Sequence, residues 1–209
     1  MKKILITPFV EINKYNKIVL SLNLEWFAYL KKLKFKASIF NPYLSSLSQL
    51  KNIDVIIISG GGDIHKLKKN KINLFRDKFE KKLIEKGIKK KIPIIAVCRG
   101  FQLIVSLTTN KTKNFIKTKK HKNTNHLITF ENKNTIYGKN EIIVNSYHSI
   151  AIKKLNNKFE VIAKSKDNNI EIAKSNDKKI LGLMFHPERK NKDQLIINKI
   201  IKKFISINN

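Results

Sequence analysis

The chain has 209 residues, of which 42% are hydrophobic, so it can bury one sizeable core, and its length favours a single domain over residues 1–209. One cysteine excludes an internal disulfide and a zinc–thiolate cluster. No apolar run reaches the roughly 18 residues of a membrane-spanning helix, and MKKILITPFV is too short an apolar run for a secretory signal, so we expect a cytoplasmic protein without a membrane partner.

The net charge of +29 first suggests a nucleic-acid partner, because basic surfaces displace counterions from phosphate backbones. However, only three of the 44 basic residues are arginine (Arg76, Arg99 and Arg189), although base and phosphate recognition favours the guanidinium fork. The lysines are scattered and form no motif. We therefore expect no nucleic-acid partner, although a positive field would attract an anionic small substrate.

Short apolar runs alternate with longer amphipathic segments in the first half of the chain, the order typical of a parallel sheet covered by helices. The predicted strands, in chain order, are Ile4–Thr7, Ala37–Phe40, Val55–Ile58 and Ile94–Val97. The helices between them are marked by apolar faces, one with Leu20, Leu24, Phe27 and Leu30 and one with Leu74, Phe79, Leu83 and Ile84. The predicted fold class is α/β, with a mostly parallel central sheet and flanking helices.

The second half of the chain has a different pattern. The Lys/Asn-rich stretch from Lys111 to Asn125 is predicted to be a loop or lid. It is followed by short segments that favour a smaller antiparallel sheet, namely EIIVNS, FEVIAKS, NNIEIAKS and KKILGLMF. A final helix is predicted from Asp193 to Ile205.

The segment IPIIAVCRGFQLI places Cys98 where a buried strand meets the start of an apolar helix. This is the pattern of a nucleophile elbow, whose crowded backbone requires small residues two before and two after the nucleophile, here Ala96 and Gly100. A helix N-terminus behind the thiol favours its anionic form, and the backbone N–H of Arg99 is left free to face an oxyanion. We therefore predict that Cys98 is a catalytic nucleophile and not a buried core cysteine.

A thiol nucleophile needs a base, and the base needs a third group that fixes its tautomer. The segment GLMFHPE supplies both, because His186 ends an apolar strand and Glu188 lies two residues further on, where its carboxylate can reach the imidazole. His65, His121 and His126 lie in polar segments without the spacing of a metal site, so we expect solvated or locally hydrogen-bonded side chains and no metal.

Six motifs in the same order resemble the γ-glutamyl hydrolases of the class I glutamine amidotransferase superfamily: SGGGD, RDKFE, CRGFQ, VNSYHSIAI, SKDNNIEIA and GLMFHPE. The resemblance implies a flavodoxin-like architecture and a Cys98, His186 and Glu188 triad. It also implies an oxyanion hole built from Gly61, Gly62 and the Arg99 amide. Glycines suit such a loop because the backbone must approach the tetrahedral oxygen closely.

The same resemblance implies a γ-glutamyl pocket whose candidate substrate-binding residues are Gln102, Asn145, Ser146, Tyr147 and His148. Ser149 stands where relatives that act on γ-glutamyl-aminobutyrate usually carry a second histidine, so the resemblance leaves the identity of the leaving group open. The short length and the LNLEW and HPER segments are similar to a bacterial subgroup that hydrolyses γ-glutamyl-CDP-amidate in capsule phosphoramidate synthesis.

The sequence therefore predicts a cysteine-dependent hydrolase that cleaves a γ-glutamyl amide through a thioester and needs no cofactor. Its expected partner is a small γ-glutamyl substrate, anionic or nucleotide-linked. One alternative is a glutaminase subunit that donates ammonia to a synthase partner, which is not favoured. A second alternative is a basic nucleic-acid-binding protein on a degenerate amidotransferase fold.

Overall fold

The structure is a computed structural model that describes residues 1–109, 112–132 and 138–208. Within these residues, eleven strands form one large sheet, and two more form a separate hairpin, β2 (Phe9–Ile12) with β3 (Ile18–Ser21). The strands of the large sheet are, in chain order, β1 (Lys3–Ile6), β4 (Lys36–Ile39), β5 (Val55–Ile58), β6 (Ile94–Val97), β7 (Phe115–Lys117), β8 (Lys122–Phe130), β9 (Glu141–Tyr147), β10 (Ile150–Ile152), β11 (Phe159–Ser165), β12 (Ile170–Ser175) and β13 (Ile180–Leu183).

The main path of the sheet runs β4-β1-β5-β6-β13-β12-β11-β8-β9. The strands from β4 to β13 are parallel, and those from β13 to β9 are antiparallel. The predicted fold class is therefore confirmed, and the antiparallel strands of the C-terminal half continue the parallel sheet. Because β13 lies parallel to β6, the residues that follow these two strands meet at one edge of the sheet.

Helices cover both faces of the parallel strands. The helices are α1 (Leu24–Lys32), α2 (Ser46–Gln49), α3 (Lys71–Lys89), α4 (Arg99–Thr108) and α5 (Gln194–Ile207). Alternate residues of β5 separate the two layers, since Val55 and Ile57 pack in the core with α1 and α5, whereas Ile56 and Ile58 pack with α3 and α4. No helix within the described residues is both long and apolar enough to cross a membrane.

Two of the predicted segments are corrected by the structure. Leu20 was assigned to the first helix by its spacing, but it lies in β3, and the helix begins at Leu24 after the N-cap Asn23, whose side chain accepts from the Glu25 N–H. The predicted loop between Lys111 and Asn125 contains a 3₁₀ helix at Thr112–Asn114, β7 and the start of β8, while Lys111 itself lies outside the described residues.

Candidate active site

Cys98 lies in the turn that joins β6 to α4, with backbone angles φ 49° and ψ −106°. A positive φ is costly for a residue with a Cβ, and it is the conformation that turns a side chain out of a sharp strand-to-helix connection. The turn has no room for a side chain at Gly100, where an added Cβ would lie 2.3 Å from the Ile58 carbonyl oxygen. The predicted elbow geometry is therefore present at this cysteine.

His186 and Glu188 follow β13, at the same edge of the sheet as Cys98. The Glu188 Oε1 lies 2.6 Å from His186 Nδ1, which leaves the Nε2 of the ring for the thiol. Burial alone lowers the pKa of His186, but its hydrogen bonds to Cys98 and Glu188 raise it from 6.5 to about 10. The arrangement favours an imidazolium placed between a sulfur atom and a carboxylate.

The backbone of His186 is held by Asn145 of β9. The Asn145 Oδ1 accepts from the His186 N–H at 2.9 Å, and its Nδ2 donates to the His186 carbonyl at 2.8 Å. Both atoms of the amide are therefore bonded to the histidine backbone. Asn191 donates to the same carbonyl at 3.1 Å, so the imidazole is attached to a rigid support.

The Gly60–Gly62 loop lies beside this pair, and its carbonyls face a buried arginine. Arg76 donates Nη1 to the Gly61 carbonyl at 2.7 Å and Nη2 to the Gly60 carbonyl at 3.1 Å. In a trans peptide the N–H points away from the preceding carbonyl, so the N–H groups of Gly61 and Gly62 point away from Arg76. Both glycines have a positive φ, of 86° and 74°, which suits residues without a Cβ.

Arg76 belongs to a buried ionic network under the elbow. Glu80, with no exposed surface, accepts from Arg76 Nε and from Thr7 Oγ1, each at 2.9 Å, and also pairs with Arg99. Arg99 pairs in addition with Asp77. Burial alone raises the pKa of Glu80, but the two guanidinium groups lower it below its ordinary value. The network joins the glycine loop to the first residue of α4.

Two neighbouring cavities meet at His186. One, of about 270 Å³, is bounded by Cys98, Gln102 and the glycine loop together with Tyr147 and His148. The other, of about 450 Å³, lies over α1 and the hairpin, and its wall includes Phe9, Ser21, Leu22, Asn23 and Trp26. Gly61, His186 and Arg189 contribute to both cavities.

The structure brings three of the five predicted substrate-binding residues to the smaller cavity. They are Gln102, Tyr147 and His148. Asn145 and Ser146 do not line either cavity, since Asn145 supports His186 and the fully buried Ser146 donates its hydroxyl to the His121 carbonyl at 2.7 Å. The amide of Gln102 donates to the Ile150 carbonyl at 2.9 Å, which leaves its Oε1 for a ligand.

The expectation that His121 and His126 are solvated is wrong. His121 is buried, His126 is mostly buried, and both face the wholly buried carboxylate of Glu171 at 3.3 Å. His148 faces the same carboxylate at 3.8 Å. His148 and Glu171 are distant in sequence from His121 and His126, and the pairing of β8 with β9 brings the three histidines together.

Sequence reasoning did not assign Phe9 and Arg189 to the site. Phe9 lies against the glycine loop, where a Cβ on Gly62 would lie 3.1 Å from its ring, and the Arg189 guanidinium stacks over the Tyr147 ring with its Cζ 4.3 Å from the ring centroid. Arg189 directly follows Glu188 in a chain with only three arginines, and this position indicates that it lies near the site. No such signal marked Phe9, because its position against the glycine loop depends on the β2–β3 hairpin.

Comparison with known proteins agrees with this architecture. The family model of Peptidase C26 matches residues 40–188. The γ-glutamyl-CDP-amidate hydrolase of Campylobacter jejuni is 32% identical over 195 residues, which cover 89% of this chain and 88% of that protein. One of the subunits of the glutamine-hydrolysing GMP synthase of Methanocaldococcus jannaschii is 27% identical over 164 residues, 78% of this chain and 79% of that one.

Among solved structures, a glutamine amidotransferase from Thermotoga maritima superimposes with a TM-score of 0.67 at 16% identity, covering 99% of this chain and 84% of the other. At this identity the likeness concerns the fold alone. Together with the matched family and the similarity to the Campylobacter protein, it identifies the chain as a member of the Peptidase C26 family with a class I glutamine amidotransferase-like fold.

Proposed function

We propose that this protein is a cysteine-dependent hydrolase of γ-glutamyl amides and that its substrate is γ-glutamyl-CDP-amidate or a similar nucleotide-linked conjugate. The observation that carries the proposal is the elbow cysteine next to an imidazole that is itself hydrogen-bonded to a carboxylate. Family membership and the similarity to the Campylobacter hydrolase support the same reaction.

In the proposed reaction the Cys98 sulfur attacks the γ-carbonyl carbon, and the electron pair of the carbonyl moves to oxygen. The tetrahedral intermediate then collapses, the carbon–nitrogen bond breaks, and His186 donates its proton to the leaving nitrogen. In the second half, His186 takes a proton from water, which attacks the thioester and releases glutamate and the free cysteine. Glu188 keeps the ring in the orientation that both steps need.

The oxyanion would be held by backbone N–H groups of the glycine loop and of Arg99. Arg76 supports this assignment, because it holds the loop carbonyls and so turns the Gly61 and Gly62 amides to the opposite side. The Arg99 amide belongs to the first turn of α4, where helix N–H groups have no intrahelical partner. Donors fixed in advance need little reorganisation when the charge develops.

The two cavities fit the two parts of such a substrate. The smaller cavity, next to Cys98 and Gln102, has the size and polarity for a glutamyl group, and the larger one has room for a leaving group. Arg189 lies between them, and its Nε has no hydrogen-bond partner among the described residues, while a Glu25 carboxylate oxygen lies 3.7 Å away. A guanidinium in this position suits the phosphate groups of a nucleotide.

The test is to incubate the purified protein alone with γ-glutamyl-CDP-amidate, with simple γ-glutamyl amides and with glutamine, and to measure glutamate release. We expect the nucleotide conjugate to be the best substrate and glutamine a poor one, because a truncated substrate loses the contacts that align the γ-carbonyl. Intact-mass analysis should detect a glutamyl adduct on the wild type and none on Cys98→Ala. An active Cys98→Ala enzyme would disprove the mechanism.

A matched pair of variants tests the nucleotide part of the proposal. Arg189→Gln should raise the KM for the nucleotide conjugate at least about tenfold, the effect of losing one charge-assisted hydrogen bond of about 1.5 kcal/mol. The neighbouring exposed Lys190→Gln should leave it unchanged. An equal effect of Arg189→Gln on a simple γ-glutamyl amide would exclude the phosphate contact.

The second candidate function is that of a glutaminase working with a synthase, which the similarity to part of a glutamine-hydrolysing GMP synthase favours. Such a glutaminase becomes active on glutamine when its synthase partner binds. Better turnover of glutamine than of every conjugate, after addition of a synthase, would support that function against the hydrolase.

A further inference from the structure

We propose a second site, a divalent transition-metal site of the zinc type, formed by His121, His148 and Glu171. The ligand atoms of His121, His148 and Glu171 lie within 4.8 Å of one another, and all three residues are buried. The site contains neither Cys98 nor His186, although His148 lines the same cavity as both. The proposal concerns metal binding, so it does not depend on the proposed hydrolase activity.

The spacing of the ligand atoms fits a tetrahedral ion. With bonds of 2.0–2.1 Å, two ligand atoms of tetrahedral zinc lie about 3.3 to 3.4 Å apart. The Glu171 Oε1 lies 3.3 Å from His121 Nδ1, 3.3 Å from His126 Nε2 and 3.8 Å from His148 Nε2. Imidazole nitrogens with a carboxylate oxygen are a donor set that zinc accepts.

Most of the unsatisfied polar atoms in the described part of the chain are in this cluster. Among buried side-chain nitrogen and oxygen atoms without a hydrogen-bond partner, all but the Glu188 Oε2 and the Arg189 Nε belong to the three histidines, to Glu171 and to the adjacent Asn169. Buried polar groups are normally satisfied. The imidazole nitrogens lie 3.3 to 3.8 Å from the Glu171 carboxylate, but none of these contacts has the geometry of a hydrogen bond. An ion bound between these atoms would satisfy them.

Asp167 sets the tautomer of His121 in the way expected for a metal ligand. Its carboxylate oxygens lie 3.0 and 3.1 Å from His121 Nε2, so this nitrogen carries the proton. In the neutral ring Nδ1 then has a lone pair and no proton, and its carboxylate neighbour 3.3 Å away, Glu171 Oε1, is also an acceptor. A cation between the two atoms removes this conflict, and a carboxylate behind a histidine ligand is a common second partner in zinc sites.

The alternative is a cluster held by protons. Burial lowers the pKa of His121, but Glu171 and Asp167 raise it above its ordinary value. A protonated His121 would therefore also neutralise the buried carboxylate of Glu171. One carboxylate, however, would then face three imidazoles, and the missing hydrogen-bond geometry at Nδ1 does not favour a proton there. The geometry favours the ion.

Such an ion would hold the wall of the smaller cavity. His148 belongs to the segment that follows β9 and lines that cavity, whereas Glu171 lies on β12 inside the sheet. Coordination would fasten this segment to the sheet. The expected role is structural, keeping His148 and Tyr147 in place beside the substrate.

The experiment measures zinc binding to chelator-treated protein in a Cys98→Ala background, which removes the thiol as a competing ligand. Competition with a zinc-binding dye should give one zinc per chain, and Zn²⁺ should raise the Tm. Glu171→Gln, nearly isosteric, should weaken zinc affinity at least about 100-fold, and Asp167→Asn about 10- to 100-fold. His65→Gln removes a histidine outside the cluster and should change nothing.

Asp167→Asn keeps the proposal testable if Glu171→Gln does not fold, because the Asp167 side chain is one-third exposed. Binding of less than one zinc per chain, or equal affinity in wild type and Asp167→Asn, would overturn the proposal. So would nitrogen NMR spectra that show both ring nitrogens of His121 protonated at neutral pH in zinc-treated protein. Tetrahedral absorption on loading with Co²⁺, lost in Glu171→Gln, would support it.

Discussion

Replacement of Gly60 by alanine is the sharpest test of the proposed catalytic geometry, because it adds one methyl group against the side chains of His186 and Cys98. A Cβ at this position would lie 2.5 Å from His186 Cε1 and 3.4 Å from Cys98 Cβ. Carbon atoms in contact prefer about 3.5 to 4.0 Å, so the imidazole has to move by about 1 Å. The backbone of Gly60 is not in the left-handed region, so the perturbation is steric and local.

His186 has little freedom to accept this displacement. Its Nδ1 is bonded to Glu188 at 2.6 Å, and Asn145 holds its backbone N–H and carbonyl. A misplacement of about 1 Å in a catalytic group can cost about 100-fold in rate. We therefore expect Gly60→Ala to lower kcat about 100-fold with a small change in KM.

The assay is steady-state glutamate release, with urea denaturation as a check on folding. Gly138→Ala is the matched control, because an added Cβ there has no heavy atom within 4 Å, although its φ of 78° makes alanine unfavourable by about 1 to 2 kcal/mol. The control should lose stability and keep its kcat. Wild-type kcat in Gly60→Ala, or an equal loss in Gly138→Ala, would refute the reasoning.

Three further predictions concern the groups around this pair. His186→Ala should reduce kcat/KM more than Glu188→Gln, because loss of the base removes proton transfer while loss of the carboxylate only misaligns it, and the reverse order would show that the roles are wrongly assigned. Glu80→Gln should lower the free energy of unfolding in urea by about 3 to 5 kcal/mol, since it leaves two buried guanidinium groups undercompensated. Thr7→Val, which removes the hydrogen bond to Glu80 and the acceptor of the Ser59 N–H but no charge, should cost about 2 kcal/mol. Folding raises the pKa of His186 from 6.5 to about 10, so the stability that its charge contributes is full below pH 6.5 and is lost as the pH rises toward 10. His186→Asn should therefore flatten the dependence of the free energy of unfolding on pH between these values. An unchanged slope would contradict the raised pKa.

The sequence was most informative where local rules and tertiary structure agree. The buried strands before Cys98 and His186 were recognisable from their apolar runs, and the elbow needed only the small residue at Gly100 that the Ile58 carbonyl requires. Both strands had to be parallel neighbours for the triad to meet. The segment KKILGLMF was predicted only as an antiparallel strand, and in the structure β13 is antiparallel to β12 on one side and parallel to β6 on the other.

The hairpin β2–β3 was missed because periodicity alone cannot separate its second strand from the helix that follows. Leu20, Leu24 and Phe27 have helical spacing, yet Asn23 caps the helix, and Leu20 pairs with Val10 across the hairpin. The capping rule, applied at Asn23, would have corrected the boundary. Phe9 and the larger cavity depend on this hairpin and were missed with it.

The histidine cluster could not be found from sequence spacing. His121 and His148 flank a strand pair, Glu171 lies on a strand inside the sheet, and the contact arises only when β8, β9 and β12 are assembled. Asn145 is a similar case, because its asparagine-serine motif suggested a ligand contact, while in the folded chain its amide holds the backbone of His186.

The three arginines explain how a chain so rich in lysine keeps a defined active site. Arg76 directs five hydrogen bonds from one planar group to Glu80, to Ser59 and to the glycine loop, which an ammonium with three donors cannot reproduce. Arg99 pairs with two carboxylates under the elbow, and Arg189 stacks on an aromatic ring between the cavities. Each position needs a rigid, planar cation, whereas the scattered lysines need only a charge in water. The lysine-rich composition first suggested a nucleic-acid surface. The three arginines instead stand at positions where the fold needs a planar cation with several donors.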